Sequence, residues 1–259
     1  MKFNLLFTGL ATLVAAGSLL AQDPPALPRK LRLMAVGDPP PFQQEYRNGV
    51  RHESEAPAGS IPPRQIEVLT GGEKSEPMKL ALGETTTQIE VPGIATQVNL
   101  VVGGRVWHAV NLPEGGDFLA ILLRDPGSGK WDKARSVLIP EGTGKFDEGD
   151  VRFISLTGAP LRFQIKDGAA FEVLPGKTVT KKLGVASGIE TLAQYRDPAQ
   201  GWKKLWSSAL VQNRGERSTV LVYPAEGIKP RQPLTLIALR ERTAPAPAVA
   251  PPPPDKQTP

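Results

Sequence analysis

The chain has 259 residues, of which 40% are apolar and 22% charged, and its formal net charge is +5. This length and composition suit one or two hydrophobic cores and exclude a chain that is disordered throughout. The absence of cysteine excludes disulfides, thiolate metal sites and thiol catalysis.

The first 21 residues predict a secretory signal that is cleaved before Gln22. Lys2 supplies the basic start, an uncharged apolar run follows, and Leu19 and Ala21 stand three residues and one residue before the cut. An uncleaved membrane anchor is the alternative, because the run is nearly long enough to span a bilayer. We expect an exported protein that is periplasmic, on the cell surface or secreted.

After the signal, the chain alternates short β-rich runs with turns that contain Gly and Pro. Most runs, such as QVNLVV, FLAILL and TVLVY, are short, and no long run combines a helical period with caps. Residues 202–210, WKKLWSSAL, fit either a short helix or a strand. The prolines of residues 22–64 predict that strands there are short or at an edge. The whole pattern predicts an all-β protein.

Arg-Asp-Pro followed by a glycine and a tryptophan occurs twice, as RDPGSGKW (124–131) and RDPAQGW (196–202). Similar landmarks precede both copies, which we interpret as a diverged internal duplication. One copy has an inserted hairpin, VNLVVGGRVWHAV, that turns at Gly103-Gly104.

The duplication predicts two tandem Ig-like β-sandwich units, at residues 30–148 and 149–242, which have separate cores or share one. Residues 22–29 are then a linker, and the Pro/Ala-rich residues 243–259 a disordered tail.

The repeated loop is interpreted as scaffold and not as an active site. Its Asp can accept a backbone N–H bond, its Pro presets a turn, and its Gly can take the left-handed conformation that ends the loop. Trp131 and Trp202 are expected to pack in the cores. No catalytic partner repeats beside them.

Charge is divided unevenly along the chain. Residues 22–148 hold 14 Lys and Arg against 17 Asp and Glu, whereas residues 149–242 hold 15 against 8, a net charge of +7. The cations predicted to bind a partner are Lys177, Lys181, Lys182, Arg196, Lys203, Lys204, Arg214 and Arg217. If they meet on one edge, they would attract an anionic polysaccharide or a lipid surface. A solvated basic face is the alternative, and the export signal argues against nucleic acid.

No pattern predicts a catalytic residue, a cofactor or a metal site. His52, beside Glu53 and Glu55, has the residue types of a metal site but is interpreted as part of a polar loop. His108 is interpreted as a surface or half-buried strand residue.

Three carboxylates, Asp147, Glu148 and Asp150, are close together in sequence. They could ligate calcium or supply a glycosidase pair, but an exposed acidic linker is the simpler interpretation.

Residues 149–180, GDVRFISLTGAPLRFQIKDGAAFEVLPGKTVT, resemble the opening of secreted bacterial β-sandwich domains of unknown function. The shared features are a Val-Arg-Phe strand, a Pro-containing turn and a second strand that ends in Asp-Gly. The resemblance implies an extracytoplasmic sandwich and transfers no activity or site residue.

These observations predict a non-catalytic envelope or secreted module that binds an anionic glycan or surface through its basic second unit. One alternative is an interaction protein that assembles with envelope partners through sheet edges. A carboxylate-based glycan hydrolase is the third interpretation. The oligomeric state stays open.

Overall fold

The computed structural model describes residues 27–41, 44–142, 144–166, 168–226 and 230–243. The all-β prediction is confirmed, because these residues form nineteen strands and no helix. The predicted signal sequence and residues 244–259 of the predicted tail lie outside the described residues.

Eleven strands come from the first half of the chain. They are β1 (Arg29–Val36), β2 (Gln44–Arg47), β3 (Val50–Glu53), β4 (Gln65–Thr70), β5 (Glu73–Lys74), β6 (Met78–Lys79), β7 (Ile89–Val91), β8 (Gln97–Val102), β9 (Arg105–Asn111), β10 (Asp117–Arg124) and β11 (Ala134–Glu141). The first sandwich has an inner sheet in the order β11-β10-β1-β7. Its outer sheet has the order β5-β4-β8-β9, with β6 also paired to β4. β2 and β3 form a separate hairpin.

Eight strands come from the second half. They are β12 (Asp150–Ser155), β13 (Leu161–Ile165), β14 (Phe171–Val173), β15 (Thr178–Lys182), β16 (Ala186–Asp197), β17 (Gly201–Gln212), β18 (Glu216–Pro224) and β19 (Leu234–Arg242). The second sandwich has an inner sheet in the order β15-β12-β18-β19 and an outer sheet in the order β14-β13-β16-β17.

The two sandwiches share one topology. In each inner sheet the first strand, β1 or β12, runs parallel to β10 or β18 and antiparallel to β7 or β15. The last strand, β11 or β19, closes that sheet by an antiparallel pairing with β10 or β18. In the outer sheets β4 corresponds to β13, and the hairpin β8–β9 corresponds to β16–β17.

The two Arg-Asp-Pro loops occupy different places in this topology. Residues 124–131 lead from β10 to β11, whose counterparts are β18 and β19, whereas residues 196–202 lead from β16 to β17. The landmark alignment is therefore wrong, and the internal duplication itself stays a prediction. The turn at Gly103-Gly104, with φ angles of 54° and 78°, belongs to a hairpin that both sandwiches have and is not an insertion.

Each sandwich encloses an apolar core. The core of the first contains Leu33, Leu100 and Trp131. The core of the second contains Phe153 and Phe163, whose ring centroids are 4.7 Å apart. Side chains of both sheets of a sandwich contribute to its core, so each sheet has one face buried within its own sandwich.

A third apolar core joins the two inner sheets. Met34 and Ile121 of the first sandwich pack with Ile154, Leu221 and Tyr223 of the second. The four sheets therefore form a four-layer stack. Strands β1, β10, β12 and β18 are buried on both faces, which accounts for the continuous apolar runs FLAILL in β10 and VLVY in β18.

Charged and polar groups close one end of the third core. Arg124 donates from Nε to Glu226 Oε1 at 2.9 Å and also contacts this carboxylate through Nη2. The other carboxylate oxygen of Glu226 accepts the backbone N–H of Asp38 at 2.8 Å, and Asp38 accepts the Tyr223 hydroxyl at 2.8 Å. Burial, together with the hydrogen bond to Asp38, raises the pKa of Tyr223 above its ordinary value. The first Arg-Asp-Pro loop thus ties the two sandwiches together.

Prolines flank β1 and do not interrupt it. Pro28 precedes the strand and Pro39 follows it, so each residue of β1 keeps its N–H. The prediction that strands in this region are short or at an edge is wrong for β1, which has eight residues and lies inside the inner sheet. It is right for the four-residue strands β2 and β3.

Candidate anion-binding site

The eight predicted cations do not meet on one edge of the second sandwich. Lys181 and Lys182 are exposed on β15, and Lys177 is exposed in the turn before this strand. Arg214 lies in the turn between β17 and β18. Because β17 packs against β18 and β19, it lies on the side of the sandwich opposite to β15.

A second group of cations surrounds the β16–β17 hairpin on the outer sheet. Arg162, Gln194 and Lys204 are neighbours across β13, β16 and β17, and Arg196 pairs with Trp202. Cross-strand neighbours point to the same face of a sheet, and here this is the face away from the core. We call these five residues the hairpin cluster.

The turn of this hairpin has the hydrogen bonds that the sequence predicts. Asp197 Oδ1 accepts the backbone N–H groups of Ala199 at 2.9 Å and Gln200 at 3.0 Å, and Gly201 has a φ of 72°. The two backbone N–H groups, with Lys203 Nζ 3.7 Å from the carboxylate, hold the pKa of Asp197 below its ordinary value. The predicted turn geometry is therefore confirmed, and the interpretation of the loop as scaffold stays a prediction.

Arg162 is held in place by two neighbours. Its guanidinium carbon lies 4.0 Å from the centroid of the Trp202 ring, and its Nη2 donates to Glu172 Oε1 at 3.0 Å. Trp202 is half-buried beneath this guanidinium, so the prediction of core packing is wrong for Trp202 and right for Trp131, which is 3% exposed. The contact is a cation–π interaction on the solvent side of the sheet.

Positive charge exceeds negative charge around the hairpin. Arg162 and Lys203 each have a carboxylate partner, Glu172 and Asp197 respectively. Arg196 and Lys204 are exposed and form no ion pair within the part of the chain that the structure describes. The hairpin therefore presents two uncompensated cations beside a positioned guanidinium.

Arg217 has a structural position at the other end of the third core. It donates to the carbonyl oxygen of Phe146 at 2.7 Å and to Glu241 at 3.2 Å. Glu241 also accepts from Arg32 at 2.5 Å, and Arg32 donates to both oxygens of Glu141. Glu141 and Arg32 belong to the first sandwich, so this network crosses between the sandwiches.

Arg152 completes the network at its most buried point. It is 1% exposed, its guanidinium carbon lies 3.7 Å from the centroid of the Phe146 ring, and its Nη1 lies 3.5 Å from Glu141. Burial lowers the pKa of Arg152 to about 10. Burial would also lower the pKa of Arg32. The hydrogen bonds of Arg32 to Glu141 and Glu241 outweigh this effect and raise its pKa. The ion pairs of Arg32 with Glu241 and of Arg152 with Glu141 connect the two sandwiches.

The three carboxylates between the sandwiches are hydrogen-bonded to backbone. Asp147 accepts the N–H of Gly144 at 3.1 Å, Asp150 accepts that of Asp147 at 2.8 Å, and Glu148 accepts that of Gly215 at 2.7 Å. The prediction of an exposed linker is right for Glu148 and wrong for Asp150, which is 9% exposed.

The two histidines lie on strands. His52 is exposed on β3, opposite Glu45, and so is not in the loop that the sequence predicts. His108 is half-buried on β9, with Nε2 3.1 Å from Ser136 Oγ, and burial lowers its pKa. No set of three or more acidic or histidine side chains is placed to hold a metal ion in the described ranges.

Sequence reasoning missed Arg162 and the position of Trp202. The two residues are forty positions apart, and the pairings of β13 with β16 and of β16 with β17 bring them together. Alternation along LRFQI, with Leu161 and Phe163 buried, was the available signal that Arg162 points away from the core.

No protein-family model matches the sequence, and a search of curated proteins finds no similar one. Among the described residues, no helix is long and apolar enough to cross a membrane. The site must therefore be interpreted from its own chemistry.

Proposed function

We propose that the protein is a non-catalytic, exported module that binds an anionic glycan through the hairpin cluster. The single observation that carries this proposal is the guanidinium of Arg162, positioned on Trp202 beside the uncompensated cations Arg196 and Lys204. The proposed binding surface is therefore one end of the outer sheet, which is smaller than the basic face that the sequence predicts.

The geometry suits carboxylate or sulfate groups along a chain. A guanidinium offers a planar fork for such groups, and a fork that is already held in place loses less entropy on binding. Arg196 and Lys204 flank it on the same face. Gln194 lies between Arg162 and Lys204 and can donate to and accept from sugar hydroxyls.

The non-catalytic part of the proposal is supported by the roles of the candidate carboxylates. Asp147, Glu148 and Asp150 each accept a backbone N–H, and these bonds shape the connection between the sandwiches. The predicted signal in residues 1–21 and the resemblance of residues 149–180 support an extracytoplasmic location, where acidic polysaccharides are available partners.

The test measures retention of the protein, without residues 1–21, on immobilised polygalacturonate at rising NaCl. The double variant Arg196→Glu/Lys204→Glu should weaken binding at least about tenfold, since two favourable contacts become repulsive. The matched control Lys181→Glu/Lys182→Glu carries the same charge change on the opposite edge. It should stay within about threefold of the unsubstituted protein, because salt screens distant charges.

Equal losses of retention in the two double variants would show that the positive charge of the whole surface, and not the hairpin cluster, binds the polysaccharide. Retention on vesicles of anionic lipid but not on polygalacturonate would assign the cluster to a lipid surface. No retention of the unsubstituted protein on either material would contradict the proposal.

Assembly through sheet edges is a second candidate, supported by the length of β17. This strand has twelve residues and, in the described part of the chain, pairs only with β16. Leu205 and Trp206 of β17 and Leu234 and Leu236 of β19 line a hollow of about 380 Å³ beside this edge. Light scattering after size-exclusion chromatography tests it, and a strictly monomeric protein would count against it.

A further inference from the structure

An open groove lies on the first sandwich, away from the hairpin cluster. It has a volume of about 790 Å³, within the usual range for pockets that hold small molecules. Its apolar wall consists of Ile61, Pro62, Leu80, Ala81 and Leu82. Pro62 and Leu80 are buried and the other three are half-buried, so apolar surface is open to solvent along its length.

The groove forms where the chain crosses from the outer to the inner sheet. Lys79 of β6 pairs with Gln65 of β4, and the N–H of Leu80 donates to the carbonyl of Arg64 at 3.0 Å. Two residues further on, Leu82 bridges to β1 in the inner sheet. Short strand pairings at both ends thus hold the apolar wall in position.

Two cations, Arg64 and Lys79, line this groove. Arg64 is exposed and makes no hydrogen bond or ion pair through its guanidinium within the described residues. Lys79 pairs with Glu84 at 2.8 Å, but the side chains are 71% and 63% exposed. Such an exposed pair contributes little, so a bound anion can share Lys79.

We propose that this groove binds a small amphipathic carboxylate, with an acyl chain along the apolar wall and its carboxylate at Arg64 and Lys79. An apolar chain removes the half-buried Ile61 and Leu82 from water, and the two cations fix which end of the ligand lies at the rim. A neutral chain of the same length gains only the burial of apolar surface. A short carboxylate gains only the contact with the two cations.

This site is independent of the proposed glycan binding, because the two sites lie on different sandwiches. Its ligand is also of another chemical class.

Isothermal titration of the protein without residues 1–21, using decanoate below its micellar concentration, tests the proposal, with decanol and acetate as the two half-ligands. Arg64→Glu should weaken decanoate binding about fivefold to tenfold and leave decanol unchanged. Arg51→Glu makes the same charge change at an exposed residue of β3 that does not line the groove, and it should change neither.

A second variant, Ala81→Phe, tests the apolar wall by filling the groove. It should weaken decanoate and decanol alike, with far-UV circular dichroism showing that the sheets are intact. Undetectable decanoate binding by the unsubstituted protein, or decanoate binding that neither Arg64→Glu nor Ala81→Phe weakens, would overturn the proposal.

Discussion

The two Arg-Asp-Pro loops share Arg, Asp, Pro, Gly and Trp in the same order and lie in different parts of the molecule. In the first, Arg124 contacts Glu226 of the other sandwich and Trp131 is buried in a core. In the second, Arg196 is exposed and Trp202 lies under a guanidinium on the outer face. The turn residues act alike, since Asp125 and Asp197 each accept a backbone N–H two residues on, and Gly129 and Gly201 both have positive φ angles.

The difference separates what a local sequence determines from what the topology determines. The turn depends on the residues within it, so it recurs wherever the loop does. The surroundings of the Arg and Trp side chains depend on which strands the loop connects. One loop lies at the interface between the sandwiches, and the other is exposed on the outer sheet.

The largest difference between the two loops is expected when their tryptophans are replaced and the free energy of unfolding is measured. Trp131→Ala removes a buried side chain and should lower the free energy of unfolding by about 3–5 kcal/mol. Trp202→Ala removes a half-buried side chain and should lower it by about 1 kcal/mol or less. Urea unfolding followed by far-UV circular dichroism measures both, and similar losses would remove the distinction between the loops.

The second-largest difference in the free energy of unfolding is expected when the arginines of the two loops are replaced. Arg124→Ala leaves the Glu226 carboxylate without its charged donor and should cost about 2–3 kcal/mol of unfolding free energy, because hydrogen bonds to charged groups at partly buried sites are among the stronger ones. Arg196→Ala should change it by no more than about 0.5 kcal/mol. A double-mutant cycle with Glu226→Ala isolates the pair, and additive effects would show that the contact contributes nothing.

The aspartate of the second loop should show the smallest effect, and one that depends on pH. Its folded-state pKa lies below the ordinary value because two backbone N–H groups and Lys203 favour the carboxylate. Its contribution to stability is therefore present above the ordinary carboxyl pKa and is lost as the pH falls through the lower, folded value. Carbon-detected NMR of the side chain should give this low midpoint, and Lys203→Ala should move it only slightly, since the backbone bonds dominate.

Much of the fold could be predicted from the sequence because strands and turns are local features. Short β-rich runs between Gly and Pro residues gave the all-β class and the Gly103-Gly104 hairpin. The parallel pairing of β1 with β10 could not be predicted, because it joins segments more than eighty residues apart. The four-layer arrangement did leave a signal, since LRLMAV and FLAILL are apolar on both faces, but such runs also fit other buried strands.

Less of the candidate site could be predicted. Arg196 and Lys204 were proposed from charge alone, whereas Arg162 joins the candidate site through a cross-strand neighbour that the sequence does not reveal. Arg217 could not be distinguished from them in the sequence, yet its guanidinium donates to Glu241 in the network between the sandwiches. A count of cations does not separate those that bind a ligand from those that bind the protein itself.

The third core has a consequence for how the chain matures. A chain folds from its N-terminus as it is made, so the first sandwich can assemble before β12 and β18 are available. Until then Met34, Ile121 and Ile139 form an uncovered apolar face in water. The nascent first half is therefore the species most in need of a chaperone, and a premature stop near residue 148 would leave an aggregation-prone product.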